Sequence, residues 1–357
     1  MLPLPAGYTG DPASIPRRVH CGQQWPAPLL WGEETRERRS PRSPAIDTER
    51  EPEPAAEGGA EHPLFESVPC PVCGDATNVR VIFDAVERGR VVRCRRCDLG
   101  FVSPRPVSTI GLYTDPSYFG ESDSEAHAGY LAYDEDSNVM HTYFERAARD
   151  LAERAGRGRL LEVGCANGSF LRAARDAGFE VQGVEPGDGA ALVARAAGLP
   201  VLTGTLDDPS IEAGAWDVIV LMQTMEHLPE PQAALDRLLA LLRPGGLLMM
   251  TTPNQHSWLA RVSGARWVEY KPPEHLFLFT PRTIRALLGR AGFEQVEVAA
   301  DVHRYPPRWV VRRLGRYFPV TRPLVALAER LLPAAILDRT LPVYYGSMRI
   351  LARRPLV

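Results

Sequence analysis

At 357 residues the chain is long enough for one large core and a smaller module. Hydrophobic residues make up 45% and charged residues 24%, the balance of an ordinary water-soluble protein, neither fibrous nor membrane-embedded. A net charge of −3 disfavours a protein held on nucleic acid by bulk electrostatics, and no apolar run reaches the roughly 18 residues of a membrane span.

The start, MLPLPAGYTGDPASIPRRVHCG, lacks the apolar core of a secretory signal, so a cytoplasmic chain with reduced cysteines is expected. Residues 1–62, rich in Pro, Glu, Arg and Ala, are expected to form a disordered arm, because they cannot bury enough apolar surface to offset the entropy of ordering. Cys21, Trp25 and Trp31 fall in this arm.

Residues 63–106 hold CPVCG and CRRCD, which place Cys70, Cys73, Cys94 and Cys97 as two C-x2-C pairs twenty residues apart. Each pair can offer two thiolates from one tight knuckle, and two knuckles complete a tetrahedron around Zn²⁺. Four thiolates close the coordination shell, so the expected metal is structural. The stretch between the pairs, NVRVIFDAVERGRVVR, reads as strand–turn–strand, which is the pattern of a zinc ribbon. Residues 107–157 read as a helical connector or lid.

From 158 to 357, strands alternate with helices. Strands are expected at 159–163, 180–186, 216–222, 245–253, 293–300 and 347–355. Helices are expected at 169–177, 188–197, 231–242 and 280–292, the third opened by Pro231 and the last closed by Gly292. This alternation argues for an α/β fold with a largely parallel sheet covered on both faces.

The first strand ends in LLEVGCANGSFL. A dinucleotide fingerprint starting at Gly164 wants glycine at 164, 166 and 169, but the chain has Gly, Ala and Ser there. Glu162, at the strand's end, would repel a pyrophosphate and suit a ligand that carries an ammonium group. Glu185 ends the next strand, where one carboxylate can accept from two ribose hydroxyls.

On these residues, and on VQGVEP, WDVIVLMQTMEHLPEP, LLRPGGLLMMTTPN and EHLFLFTPRTIRALLGRAGF in that order, residues 159–300 resemble a class I S-adenosylmethionine-dependent methyltransferase. The resemblance implies a Rossmann-like seven-stranded methyltransferase sheet with helices on both faces and S-adenosyl-L-methionine as cofactor. It implies cofactor contact by Glu162, Gly164, Cys165, Ala166, Asn167 and Gly168, with ribose at Glu185 and Pro186. Adenine would lie near Thr205 and Leu206, and Gln223 under the methionine part. The ribbon, followed by GFVSPRP and YF, is similar to the amino-terminal module of bacterial natural-product and sugar methyltransferases.

Methyl transfer to a hydroxyl or carbon acid needs the nucleophile aligned and its proton removed. His227, after the fourth strand, and His275, next to Glu274 and behind Pro272–Pro273, are the candidates. The resemblance to sugar C-methyltransferases maps EHLFLFT onto a catalytic Glu274–His275 pair, but Pro272 stands where that group has a tyrosine. A second resemblance, to quinone-pathway O-methyltransferases, concerns a metal-binding E-x-x-E-H, here Gln223, Glu226 and His227, with the first carboxylate lost. O-methylation of a small-molecule acceptor, a glycan or secondary metabolite, is therefore the expected reaction. Sugar C-methylation, an RNA methyltransferase that grips RNA with the ribbon, and a non-catalytic binding module are the alternatives.

Residues 301–346 interrupt the last two strands with aromatic, aliphatic and arginine residues at helical spacing, cut by prolines. The segment reads as helices packed on the sheet or in a dimer interface, as a substrate lid, or as a peripheral surface for membrane or a lipid-linked substrate. The sequence leaves the oligomeric state open.

Overall fold

The computed structural model describes residues 65–85, 89–114, 137–310, 312 and 319–357. The arm at 1–62, residues 115–136 of the connector, and residues 311 and 313–318 of the insertion lie outside them.

Two similar knuckles begin the described chain. The amide of Gly74 donates to the Cys70 carbonyl at 2.8 Å, and that of Asp98 to the Cys94 carbonyl at 2.9 Å. Both residues are left-handed, with φ of +72° and +70°, a conformation that glycine adopts freely and that a short polar side chain tolerates. Strands β1 (Val79–Ala85), β2 (Gly89–Cys94) and β3 (Gly100–Val102) form an antiparallel meander, as the strand–turn–strand pattern predicts.

The larger part opens with helix α1 (Ser137–Ala155) and continues β4 (Arg159–Val163), α2 (Ser169–Asp176), β5 (Glu180–Glu185), α3 (Asp188–Ala196) and β6 (Val201–Thr203). Next come β7 (Trp216–Met222), α4 (Pro231–Leu241), β8 (Leu242–Pro253), α5 (Trp258–Ser263), β9 (Phe277–Leu278), α6 (Pro281–Ala291) and β10 (Glu294–Ala300). The insertion contributes β11 (His303–Tyr305), α7 (Arg322–Leu331) and β12 (Leu341–Val343), and β13 (Ser347–Arg353) closes the fold.

Seven strands make the central sheet in the order β10-β13-β8-β7-β4-β5-β6. All neighbours from β8 to β6 are parallel, and β13 runs antiparallel between β8 and β10. The seventh strand, β6, is only three residues long and is absent from the alternation seen in sequence. Strand order reverses between β4 and β7, the switch point where such sheets bind ligands beyond their carboxyl ends.

The apolar runs alternate between two cores. Leu160, Val218, Val220 and Met249 pack under α1, α2 and α3, while Leu161, Ile219, Leu221 and Met250 face α4 and α6. Burial on both faces explains why these strands read as continuous apolar runs. Pro231 occupies the first turn of α4, and Thr280 and Thr283 form a capping box on α6, which ends at left-handed Gly292.

The ribbon is not a separate bead. β9, from the larger part, adds to the edge of β3, with Phe277 opposite Phe101 and Leu278 opposite Gly100. Leu99, Phe101 and Val92 share one core with Phe277 and Leu248. In the insertion, β11 and β12 pair to close its base, and Tyr143 of α1 donates to buried Asp301 at 3.0 Å.

Candidate active site

The carboxyl ends of β4, β5 and β7 place three groups together. The first is the turn after β4. Gly164 has φ +73°, and a Cβ there would meet the Thr224 side chain at 2.7 Å, so only glycine fits. Gly168, φ +76°, would likewise press a Cβ to 2.4 Å from Leu199. Ala166 is left-handed too, and Asn167 accepts from the Ser169 hydroxyl at 2.7 Å as α2 begins. The Cys165 side chain turns into the core against Gly183, and burial pushes its thiol up, so the backbone is what this residue offers a ligand.

The second group is a pair of buried acids. Glu185 accepts from the amides of Ala166 and Gly187, both at 2.9 Å, one on each carboxylate oxygen, which leaves further acceptor capacity on both. Burial raises its pKa and those two amides pull against the shift. Glu162 is more isolated: one oxygen has no hydrogen-bond partner, and burial followed by the charge of Glu185 drives its pKa well above the usual range. A buried orphan acceptor beside a second acid suits a cationic ligand. Pro186 is half-buried beside Glu185, Thr205 is exposed, and Leu206 is folded into the core. Gln223, left-handed at φ +51°, is exposed at the end of β7 and is held by the Thr251 carbonyl at 2.9 Å.

The third group follows β7. Donor atoms of Glu226, His227 and His275 all lie within 4.8 Å of one another, and the two imidazoles meet edge to face at 4.8 Å between centroids. His275 Nδ1 donates to the Glu269 carbonyl at 3.0 Å and His227 Nδ1 to the Glu274 carbonyl at 2.9 Å. Because a carbonyl only accepts, both rings carry the proton on Nδ1 and a lone pair on Nε2. Burial drives the pKa of His227 well below its usual value, with the neighbouring His275 adding to the shift. Burial, then Lys271, lowers His275 to about 3. Of Glu274, the backbone carbonyl is what reaches His227; the carboxyl group that lies beside the two histidines is that of Glu226.

Glu226 is fully buried, and neither oxygen has a partner of ordinary hydrogen-bond geometry. Burial pushes its pKa up to about 8, against the opposing pull of a backbone amide and Thr252. A carboxyl raised from 4.5 to about 8 is protonated in the fold and ionised in the unfolded chain between those values, so its linkage lowers stability as pH rises through that window. The loss amounts to on the order of 5 kcal/mol at about 1.4 kcal/mol per pH unit. Glu226→Gln cannot ionise. Urea unfolding at pH 5 and pH 8 should show its advantage over the parent growing with pH, whatever the constant offset; a flat difference would mean that the acid has a partner.

Sequence reasoning missed Tyr113. The short helix Ile110–Thr114 brings its hydroxyl to 2.9 Å from His227 Nδ1. Nothing local in GLYT marks that role, which depends on how the ribbon docks. The docking is specific: the Val102 amide donates to the Leu276 carbonyl, and the Leu276 amide to the Glu226 carbonyl, both at 2.9 Å. Arg105 donates to the Pro229 carbonyl at 2.8 Å, and Asp98 pairs with His256.

In the ribbon, the Sγ atoms of Cys70 and Cys97, and of Cys73 and Cys94, are 3.4 Å apart, and all four lie within 4.8 Å. Burial pushes Cys97 up to about 11. Four thiols this close and mostly buried form a donor set suited to one tetrahedral cation, whose charge would offset that of the thiolates.

Residues 137–298, which contain the turn, the two acids and the histidine cluster, match the family described as "Methyltransferase domain". This part of the chain is similar to methyltransferase domains. Among curated relatives, the chain is similar to the ubiquinone biosynthesis O-methyltransferase of Cronobacter sakazakii, 32% identical over 130 residues, covering 33% of this chain and 54% of the relative. The protein of the same description from Azorhizobium caulinodans is 28% identical over 177 residues, covering 46% of this chain and 70% of that one. The chain thus spans about half the length of the first of these relatives. A SAM-dependent methyltransferase structure from Archaeoglobus fulgidus aligns with a TM-score of 0.45 at 19% identity, over 63% of this chain and 99% of its own.

Proposed function

We propose that the chain is an S-adenosylmethionine-dependent methyltransferase that acts on a hydroxyl of a small molecule, in a glycan or secondary metabolite. The observation that carries this reading is the convergence, at one edge of a methyltransferase-domain sheet, of a tight glycine turn, two buried acids and a pair of Nε2-basic histidines. The O-methyltransferase names of the relatives support the hydroxyl acceptor. When bound, S-adenosylmethionine supplies an electrophilic methyl group on a sulfonium.

The chain's own residues divide the remaining work. The turn at 164–168 brings bare backbone to the cofactor, Glu185 offers its acceptors to the ribose, and Glu162 offers an uncompensated carboxylate to the ammonium group. Gln223 lies beneath the methionine part. His227 is the one member of the cluster that is only half-buried, so it is the member that an acceptor hydroxyl can reach. It takes the hydroxyl proton on Nε2, while Tyr113 and the Glu274 carbonyl fix its ring. His275 and Glu226 back it from the buried side. Cys70, Cys73, Cys94 and Cys97 hold a structural Zn²⁺ that stiffens the ribbon.

Calorimetry with S-adenosylhomocysteine tests the cofactor assignment. Glu185→Ala is expected to weaken binding by about 10- to 100-fold, the value of hydrogen bonds to a charged acceptor. No binding by the parent protein, or binding unchanged by this substitution, would overturn the reading.

A further inference from the structure

The insertion leaves an apolar stripe uncovered. Val320, Leu324, Leu327 and Leu331 recur at spacings of four, three and four, which places them on one face of α7 and the turn leading into it. A stripe of this pattern ordinarily faces a core. Here Leu324 is 68% exposed, Leu327 50% and Leu331 68%, and Leu332 and Ile336 beyond the helix are exposed as well. The expectation that the insertion packs its helices on the sheet does not hold for α7, whose only sustained contact among the described elements is with the turn preceding it.

The same segment gathers positive charge. Residues 301–346 contain eight arginines and three carboxylates, a net of +5, on a chain whose total is −3, so the rest carries −8. Two of the three acids are engaged inside the segment, Asp301 with His303 at 3.0 Å and Asp338 with Arg308 at 2.9 Å. Arg322 and Arg330, at either end of α7, and Arg339 are exposed.

We infer that α7 is a docking element for an anionic lipid surface. Its leucines enter the boundary between headgroups and acyl chains, and the flanking arginines meet lipid phosphates. Charge favours this occupant over a second copy of the chain. Two α7 helices face to face would bring arginines against arginines. Topology fixes what the docking presents. β10 ends and β13 begins at the carboxyl edge of the parallel strands, because β13 runs antiparallel to β8. The insertion therefore projects from the edge that carries the 164–168 turn and His227, and docking turns that edge toward the lipid.

Flotation of the full-length chain with vesicles tests this directly, with no need of turnover. The chain should float with vesicles of phosphatidylcholine mixed with phosphatidylglycerol and not with phosphatidylcholine alone, and added salt should weaken the association. The double substitution Leu324→Ser, Leu327→Ser should weaken binding at least about tenfold, and Arg330→Glu with Arg339→Glu by a similar factor, with melting temperatures unchanged. Four results would overturn the inference: no association of the parent chain with the anionic vesicles, equal association with neutral ones, leucine variants that bind as well as the parent, or a parent dimer in sedimentation that the leucine substitutions dissociate.

Discussion

His227→Ala is expected to lower turnover by about 10²- to 10⁴-fold, the usual contribution of a positioned base, while S-adenosylhomocysteine binds as before. The expectation follows from proton bookkeeping at the cluster. Both imidazoles spend Nδ1 on a backbone carbonyl, so each has one lone pair to offer, and of the two rings only that of His227 is reachable from outside. His275, 6% exposed, stands behind it, where it can support the outer ring but is closed to an acceptor hydroxyl. Glu274→Gln keeps the backbone carbonyl that orients His227, so it should retain most of the activity. Steady-state kinetics of the two variants separate the assignments: a dead Glu274→Gln beside an active His227→Ala would transfer the role of base to the Glu274–His275 pair.

Cys94→Ser should leave the purified chain without its full complement of zinc and cost on the order of 5 kcal/mol of stability, read by metal analysis and urea unfolding. Turnover should fall with it, because the ribbon's edge strand is hydrogen-bonded to the segment that follows His275. Loss of the knuckles frees β3, β3 holds β9 and the Leu276 carbonyl, and the Leu276 amide holds the Glu226 carbonyl. Three hydrogen-bonded steps thus lead from the cysteines to the histidine cluster. A parent protein without zinc, or a Cys94→Ser variant with unchanged stability and turnover, would contradict this chain of support.

The larger part of the fold was legible because its strands are buried on both faces and its helices carry ordinary start and stop signals, such as Pro231 and Gly292. β6 escaped, since three residues are too few to show a period, and β9 escaped because its partner is remote in sequence. The tight turn after β4 was legible at Gly164 and Gly168, where sterics demand glycine. The histidine cluster was legible only in part. His227 and His275 stood out as residues, but Tyr113 and the choice of Glu226 over Glu274 depend on which backbone carbonyls the loops bring near, and that is a property of packing. The outward face of α7 was hidden for a related reason: an amphipathic pattern records that one face is apolar and says nothing of what will cover it.

The pairing of Phe101 with Phe277 also bears on the order of biosynthesis. The ribbon leaves the ribosome with one edge of its meander bare, and the strand that covers it emerges 176 residues later. Through that interval the amino-terminal module is an open template for any extended segment, and it becomes safe only when the last third of the chain arrives. The module and the larger part therefore gain from being made as one polypeptide, since a gene that separated them would leave the ribbon's meander without its fourth strand.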